Sequence, residues 1–114
     1  MLDKILGSKT AQKIFLHLYH HEETYPSAVA RDFKISLGQV QRQFDRFEEC
    51  GLIVSRLVGR TRVYQFNYKQ GIVKPFIEIV KRVYDSIPVS EKEKIFSTRM
   101  RPRRRGKPVK GRQQ

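Results

Sequence analysis

The chain has 114 residues, 39% of them hydrophobic, which is enough for one small domain with its own core and too short for two. Lys and Arg number 24 against 11 Asp and Glu, a net charge of +13. That balance favours a polyanionic partner, nucleic acid before an acidic membrane surface. The single cysteine, Cys50, excludes an intramolecular disulfide framework and a Cys-rich zinc site.

No stretch approaches the roughly 20 apolar residues of a membrane span, and the first residues show no cleavage-site pattern. A cytoplasmic, nucleoid-associated protein without a membrane partner is the expectation. The charge is uneven. Residues 97–114 hold eight Lys/Arg and no acid, leaving 16 basic and 11 acidic residues in 1–96, a net +5. No internal repeat is present.

In chain order, Leu2, Ile5 and Leu6 form a short apolar piece at helical spacing, interrupted by Gly7-Ser8. Ser8 can cap a new helix. Ala11, Ile14, Phe15, Leu18 and Tyr19 then trace one apolar stripe until the polar cluster at 22–24. Pro26 suits the first position of a short helix over 26–33, because its missing N–H has no helical partner there anyway. Val29, Ala30 and Phe33 mark its inner face. After Lys34-Ile35, Ser36 and Gln39 form a capping box, and Ile35 and Val40 a hydrophobic staple. Val40, Phe44 and Phe47 continue the buried side, and Gly51 suits a left-handed C-cap. Two helices joined so closely form a helix-turn-helix. Leu52–Val58, the turn Gly59-Arg60 and Arg62–Tyr68 predict a β-hairpin that must pack on the helices. Val73, Phe76, Ile77, Val80, Tyr84 and Ile87 predict a further helix with Pro75 in its first turn. Pro88 ends it, and Ser90 is the expected cap of a last short helix.

The order of these pieces resembles the winged helix-turn-helix repressors of bacteria and archaea, and most nearly the arsenic-repressor-like (ArsR) group. LDKILGSKTAQKIFLHL looks like that group's first helices, ISLGQVQRQFDRFEECGLI its recognition helix, and GRTRVYQFN the return strand of its wing. The resemblance covers about residues 2–87. It implies a mostly α fold with a small β-hairpin (α+β): a three-helix core, a wing and a C-terminal helix. It also implies double-stranded DNA as partner and a homodimer formed by the terminal helices, here Leu2–Leu6 and Val73–Ile87. The group's metal-sensing members carry paired cysteines or C-terminal-helix histidines, which this chain lacks. The same stretch resembles winged-helix domains that accompany small nucleotidyltransferases, for which this chain has no room.

A recognition helix must present side chains to base edges in the major groove. In the helix over 36–50, Gln39, Gln41 and Arg42 are the candidates, because Gln can pair bidentately with adenine and Arg with guanine. Gln43 lies beside them, Gly38 allows close approach, and Arg46 suits a phosphate. Arg60 and Arg62 flank the wing tip over 58–62, where Arg can enter a narrow minor groove. Lys9, Thr10 and Ser27 sit at helix starts, where N–H groups and hydroxyls can hold phosphates or simply cap. Arg103, Arg104 and Arg105 add phosphate contacts from the tail. His17, His20 and His21 are read as surface residues near a helix end rather than metal ligands, and Cys50 as a partly buried packing residue. No catalytic or phosphate-loop constellation, cofactor site or metal site is expected.

The chain therefore reads as a DNA-binding domain over 1–88, a short helix or linker over 89–96 and a disordered basic tail over 97–114. The function is that of a sequence-specific DNA-binding transcriptional regulator, read as a repressor. The alternative is a non-enzymatic winged-helix module that binds a protein or RNA. The effector, if there is one, is left open.

Overall fold

A computed structural model describes residues 1–96. The tail over 97–114, with Arg103, Arg104 and Arg105, lies outside the described residues. In chain order the elements are α1 (Leu2–Leu6), α2 (Lys9–His21), α3 (Pro26–Phe33), α4 (Leu37–Glu49), β1 (Ile53–Val58), β2 (Thr61–Phe66), α5 (Val73–Asp85) and α6 (Val89–Ile95).

The helix boundaries follow local chemistry. Gly7 closes α1 at φ 76°, and Ser8 then accepts a bond from the Ala11 N–H to start α2. Ser36 does the same for α4 through the Gln39 N–H, a contact of a type worth about 1 kcal/mol. Lys34, at φ 58°, turns the chain between α3 and α4 in a left-handed conformation that L-residues rarely adopt. Gly51, at φ 91°, ends α4. The sequence expectation differs at several ends, α5 stopping at Asp85 before Ile87 among them. β2 ends at Phe66; Asn67 makes one last in-register bond to Leu52 O, its amide bonds Gly51 O, and the chain then turns, with the Gln70 N–H on Asn67 O, so Tyr68 falls outside the strand and is exposed. The last helix starts at Val89 after Pro88, so Ser90 lies inside its first turn and caps nothing.

β1 and β2 pair antiparallel from Ile53↔Phe66 to Val58↔Thr61. One further bridge ties this ribbon to the helices: Thr24, after α2, exchanges both backbone bonds with Tyr64, at 3.0 and 2.7 Å. Ile53, Tyr64 and Phe66 are buried at the inner end, whereas Leu57, Val58, Gly59 and Arg60 are exposed at the outer end.

Phe15 of α2 sits at the centre of the core. Its ring meets Phe47 of α4 at 4.8 Å, Phe76 of α5 at 4.8 Å and Phe66 of β2 at 6.0 Å. Ile14, Leu18, Val29, Val40, Phe44, Val73 and Val80 fill the space around it with no exposed surface. Leu2, Val73 and Val80 are thus buried within the chain's own core. On the two segments expected to meet a second copy, Ile5 and Ile79 remain exposed, with Ile72 just before α5. Cys50 is exposed, contrary to its reading as a packing residue, because it follows the last turn of α4 and points off the buried face.

Phe15→Ala is expected to cost about 3–5 kcal/mol in urea unfolding, the range for emptying a core aromatic site. Gly51→Ala is expected to cost about 1–2 kcal/mol from its left-handed backbone, with the Gln70 amide 2.8 Å from the added Cβ forced aside.

Candidate nucleic-acid interface

The buried side of α4 is set by Val40, Phe44 and Phe47. Successive residues advance about 100° around a helix, so Gly38, Arg42, Asp45 and Glu49 face away from the core. Gln39 and Gln41 flank that line on opposite sides, roughly 160° apart. Gln39, Gln41 and Arg42 are all exposed. Arg42 extends back over the first turn, its guanidinium 3.7 Å from where a Cβ on Gly38 would lie. Asp45 and Glu49 lie further along the same line. The surface of α4 is therefore donor-rich in its first two turns and acidic beyond, which suits an N-terminal half facing a polyanion.

Gln43 and Arg46 stand differently. The Arg46 guanidinium donates to Gln43 Oε1 at 3.0 Å and to the Leu6 carbonyl at 3.2 Å, and lies 4.8 Å from the Phe47 ring centre. It satisfies a carbonyl at the C-terminus of α1 that has no helical donor. Both side chains are engaged inside the chain.

The wing turn Gly59-Arg60 has Gly59 at φ 65°, as a two-residue hairpin with glycine in its first central position requires. Arg60 is exposed there. Arg62 reaches back instead: it donates to Ser55 Oγ at 2.9 Å, and that hydroxyl donates to Glu48 at 2.6 Å. Arg56, not singled out by the sequence, bonds Glu23 at 2.9 Å and Gln65 at 3.3 Å across the ribbon. Lys9 and Ser27 are exposed and Thr10 half-buried, at the starts of α2 and α3. Ser8 provides the side-chain cap of α2, and Tyr25 precedes α3 without a capping bond.

The histidines depart from the sequence expectation. His17 is fully buried, held by Thr24 Oγ1 at Nδ1 (2.8 Å) and Asp32 Oδ2 at Nε2 (2.6 Å). His20 Nδ1 meets the Tyr84 hydroxyl at 2.7 Å, and its ring stacks on Phe96 at 4.5 Å. These rings face α3, α5 and the end of α6 because α2 is enclosed on that side too. Burial, then the neighbouring His17 and Lys92, hold the His20 pKa below its ordinary 6.5, with Asp32 opposing. Burial pushes the Tyr64 hydroxyl up, with Glu48 and Asp45 adding to it.

Helix-turn-helix, hairpin wing and C-terminal helix together make this a winged helix-turn-helix fold of the α+β class. No family model and no curated protein matches the chain. Among solved structures it is similar to the apo form of a double mutant of ZitR from Lactococcus lactis, at 17% identity and a TM-score of 0.49, over 81% of this chain and 84% of that one. A second structure of that mutant is similar at 18% identity and a TM-score of 0.48, over 75% and 66%. No helix among the described residues is long and apolar enough to cross a membrane.

A histidine whose pKa is lowered by folding takes up its proton more readily in the unfolded chain. Its contribution to stability is therefore complete above pH 6.5 and is lost as the pH falls from there through the folded-state value. Urea midpoints measured over this window are expected to decline less steeply in His20→Gln than in the parent protein.

Proposed function

We propose that the protein is a sequence-specific double-stranded DNA-binding transcriptional regulator that acts as a repressor by occluding its site. The observation that carries this reading is the exposed donor set of Gln39, Gln41 and Arg42 on the first two turns of α4, the helix that follows the turn of the helix-turn-helix. In this reading α4 enters the major groove, Arg60 at the wing tip lies in the adjacent minor groove, and Lys9, Thr10 and Ser27 hold phosphates. Gln43 and Arg46 align the reading face, and reach DNA only by exchanging their internal bonds for phosphate. Arg62 braces the wing through Ser55 and Glu48. The tail, with Arg103, Arg104 and Arg105, adds affinity for any sequence. Two copies meet through the apolar residues left exposed on the terminal helices, Ile5 and Ile79, and through Ile72 beside them. The pair reads half-sites one helical turn apart.

A second reading, a winged-helix module that docks a protein or RNA, is favoured by Val54, Leu57 and Val58, apolar and exposed on the hairpin. Selection from random duplex DNA separates the two. An enriched palindrome supports the regulator, and no enrichment together with RNA or protein binding supports the module. On the selected site, Arg42→Ala is expected to lose about 1–3 kcal/mol of base discrimination in a competition assay. Arg60→Ala is expected to lower the slope of log affinity against log salt by about 0.9, and removal of 97–114 to weaken all duplexes alike. Unchanged preference in Arg42→Ala removes α4 as the reading helix. Sedimentation of Ile79→Glu tests the pairing, with a shift towards monomer expected.

A further inference from the structure

We propose that His17, His21 and Asp32 form a binding site for a divalent transition-metal ion, Zn²⁺ being the ion that their donor set suits. Each residue offers one ligand atom, and these atoms lie within 4.8 Å of one another. His17 and His21 are one helical turn apart on α2, with ring centres 4.5 Å apart, and Asp32 reaches them from α3. Two imidazoles and a carboxylate are borderline ligands that favour Zn²⁺ over the oxygen-preferring Ca²⁺ and Mg²⁺.

The surroundings are those of a metal ligand set. The side chains of His17 and Asp32 are 0% and 1% exposed, so water competes poorly for the ion. Thr24 Oγ1 engages His17 at Nδ1, which fixes the ring and directs Nε2 to the carboxylate. A hydrogen bond to the distal nitrogen is what orients a histidine ligand and settles its tautomer. Phe33 and Phe96 wall the cluster, their ring centres 6.2 and 5.7 Å from that of His17. A purely structural Thr–His–Asp string accounts for His17 and Asp32. Beside that pair lies a second imidazole, His21, whose donor atom is within reach of the same ion.

Donors on a tetrahedral Zn²⁺ stand roughly 3.3 Å apart, so His17 Nε2 and Asp32 Oδ2, now at 2.6 Å, would separate by roughly 0.7 Å, and the donor pairs that stand wider, within 4.8 Å, would close towards that distance. The ion would replace the hydrogen bond between them. The described residues bring three such donors together and residues 97–114 contain no His, Cys, Asp or Glu, so a fourth position is left to one water on the half-buried His21 side. Such an ion would clamp α2 to α3 just before the turn into α4, which gives this site a consequence for the fold whether or not the protein reads DNA.

The test uses the full chain, free of any polyhistidine tag and stripped with chelator, at neutral pH. Zn²⁺ is titrated against a chromophoric competitor, and Co²⁺ is added separately to read ligand-field absorption. One saturable Zn²⁺ per chain, visible Co²⁺ bands of four-coordinate intensity and insensitivity to Mg²⁺ are expected. His21→Gln and Asp32→Asn should each weaken Zn²⁺ by more than about tenfold, whereas His20→Gln, whose imidazole bonds Tyr84 instead, should bind as the parent does. If Asp32→Asn fails to fold, as circular dichroism will show, His21→Gln decides. Absence of saturable binding overturns the proposal, as does binding that survives in His21→Gln or is lost equally in His20→Gln.

Discussion

The ring of Phe15 is the reference point to which the functional parts are packed. It is carried on α2, and it touches one aromatic ring each from α4, the inner end of the hairpin and α5. Two of these contacts, with Phe47 and Phe76, are edge-on at 71° and 83°. Aromatic pairs of this kind contribute about 0.5–1.5 kcal/mol beyond the area they bury, and they are directional. Close-packed interiors transmit such directional preferences. The angle at which α4 leaves the core, and the plane in which the hairpin leaves it, are therefore determined together by one side chain and its neighbours.

A polar layer completes what the aromatic core begins. Arg46 joins α4 to the end of α1, Glu48 joins α4 to Ser55 and Arg62 on the ribbon, and Asn67 closes the loop behind Gly51. All three attachments involve the second half of α4 or the residues just after it. Among the described residues, the first half is held by its Ser36 cap and by buried Val40, with its outer side chains facing solvent. One helix is thus divided along its length. Its C-terminal turns are built into the protein, and its N-terminal turns are left available. This division explains why Gln43 and Arg46, which share a stripe with Gln39 and Arg42 by spacing, do not share their circumstances.

Features that depend on a few neighbouring residues were legible before any coordinates. Ser8, Ser36, Gly51, Pro26 and the Gly59-Arg60 turn act within about four positions, and each sits where its local chemistry requires. The buried stripes of α2, α4 and α5 were legible for the same reason. What escaped is set by pairs distant in sequence. His17 meets Asp32 fifteen residues on, His20 meets Tyr84 sixty-four on, and Arg46 meets Leu6 forty back. Helical spacing places the three histidines at a helix end and says nothing about α3, α5 and α6 closing over them. Phe96, just after the short α6, covers that cluster, which no pattern within 89–96 signals. One clue was present: Thr24, a β-branched residue just before Tyr25-Pro26, in a run too short to read as a strand.

That threonine links two regions otherwise separate. Its backbone pairs with Tyr64 at the root of the wing, while its hydroxyl holds His17 beneath. The ribbon is anchored at this root through Tyr64, Phe66 and Ile53, is braced midway by the Arg62–Ser55–Glu48 chain and by Arg56 on Glu23, and ends in an exposed tip. A lever fixed at one end is aimed at its fulcrum. Chemical changes at the tip alter only what the wing touches. A rotation of a few degrees at Thr24 sweeps the tip through a larger arc than the root, so the histidine cluster beneath Thr24, remote from the tip, shares with the Phe15 core in aiming the wing.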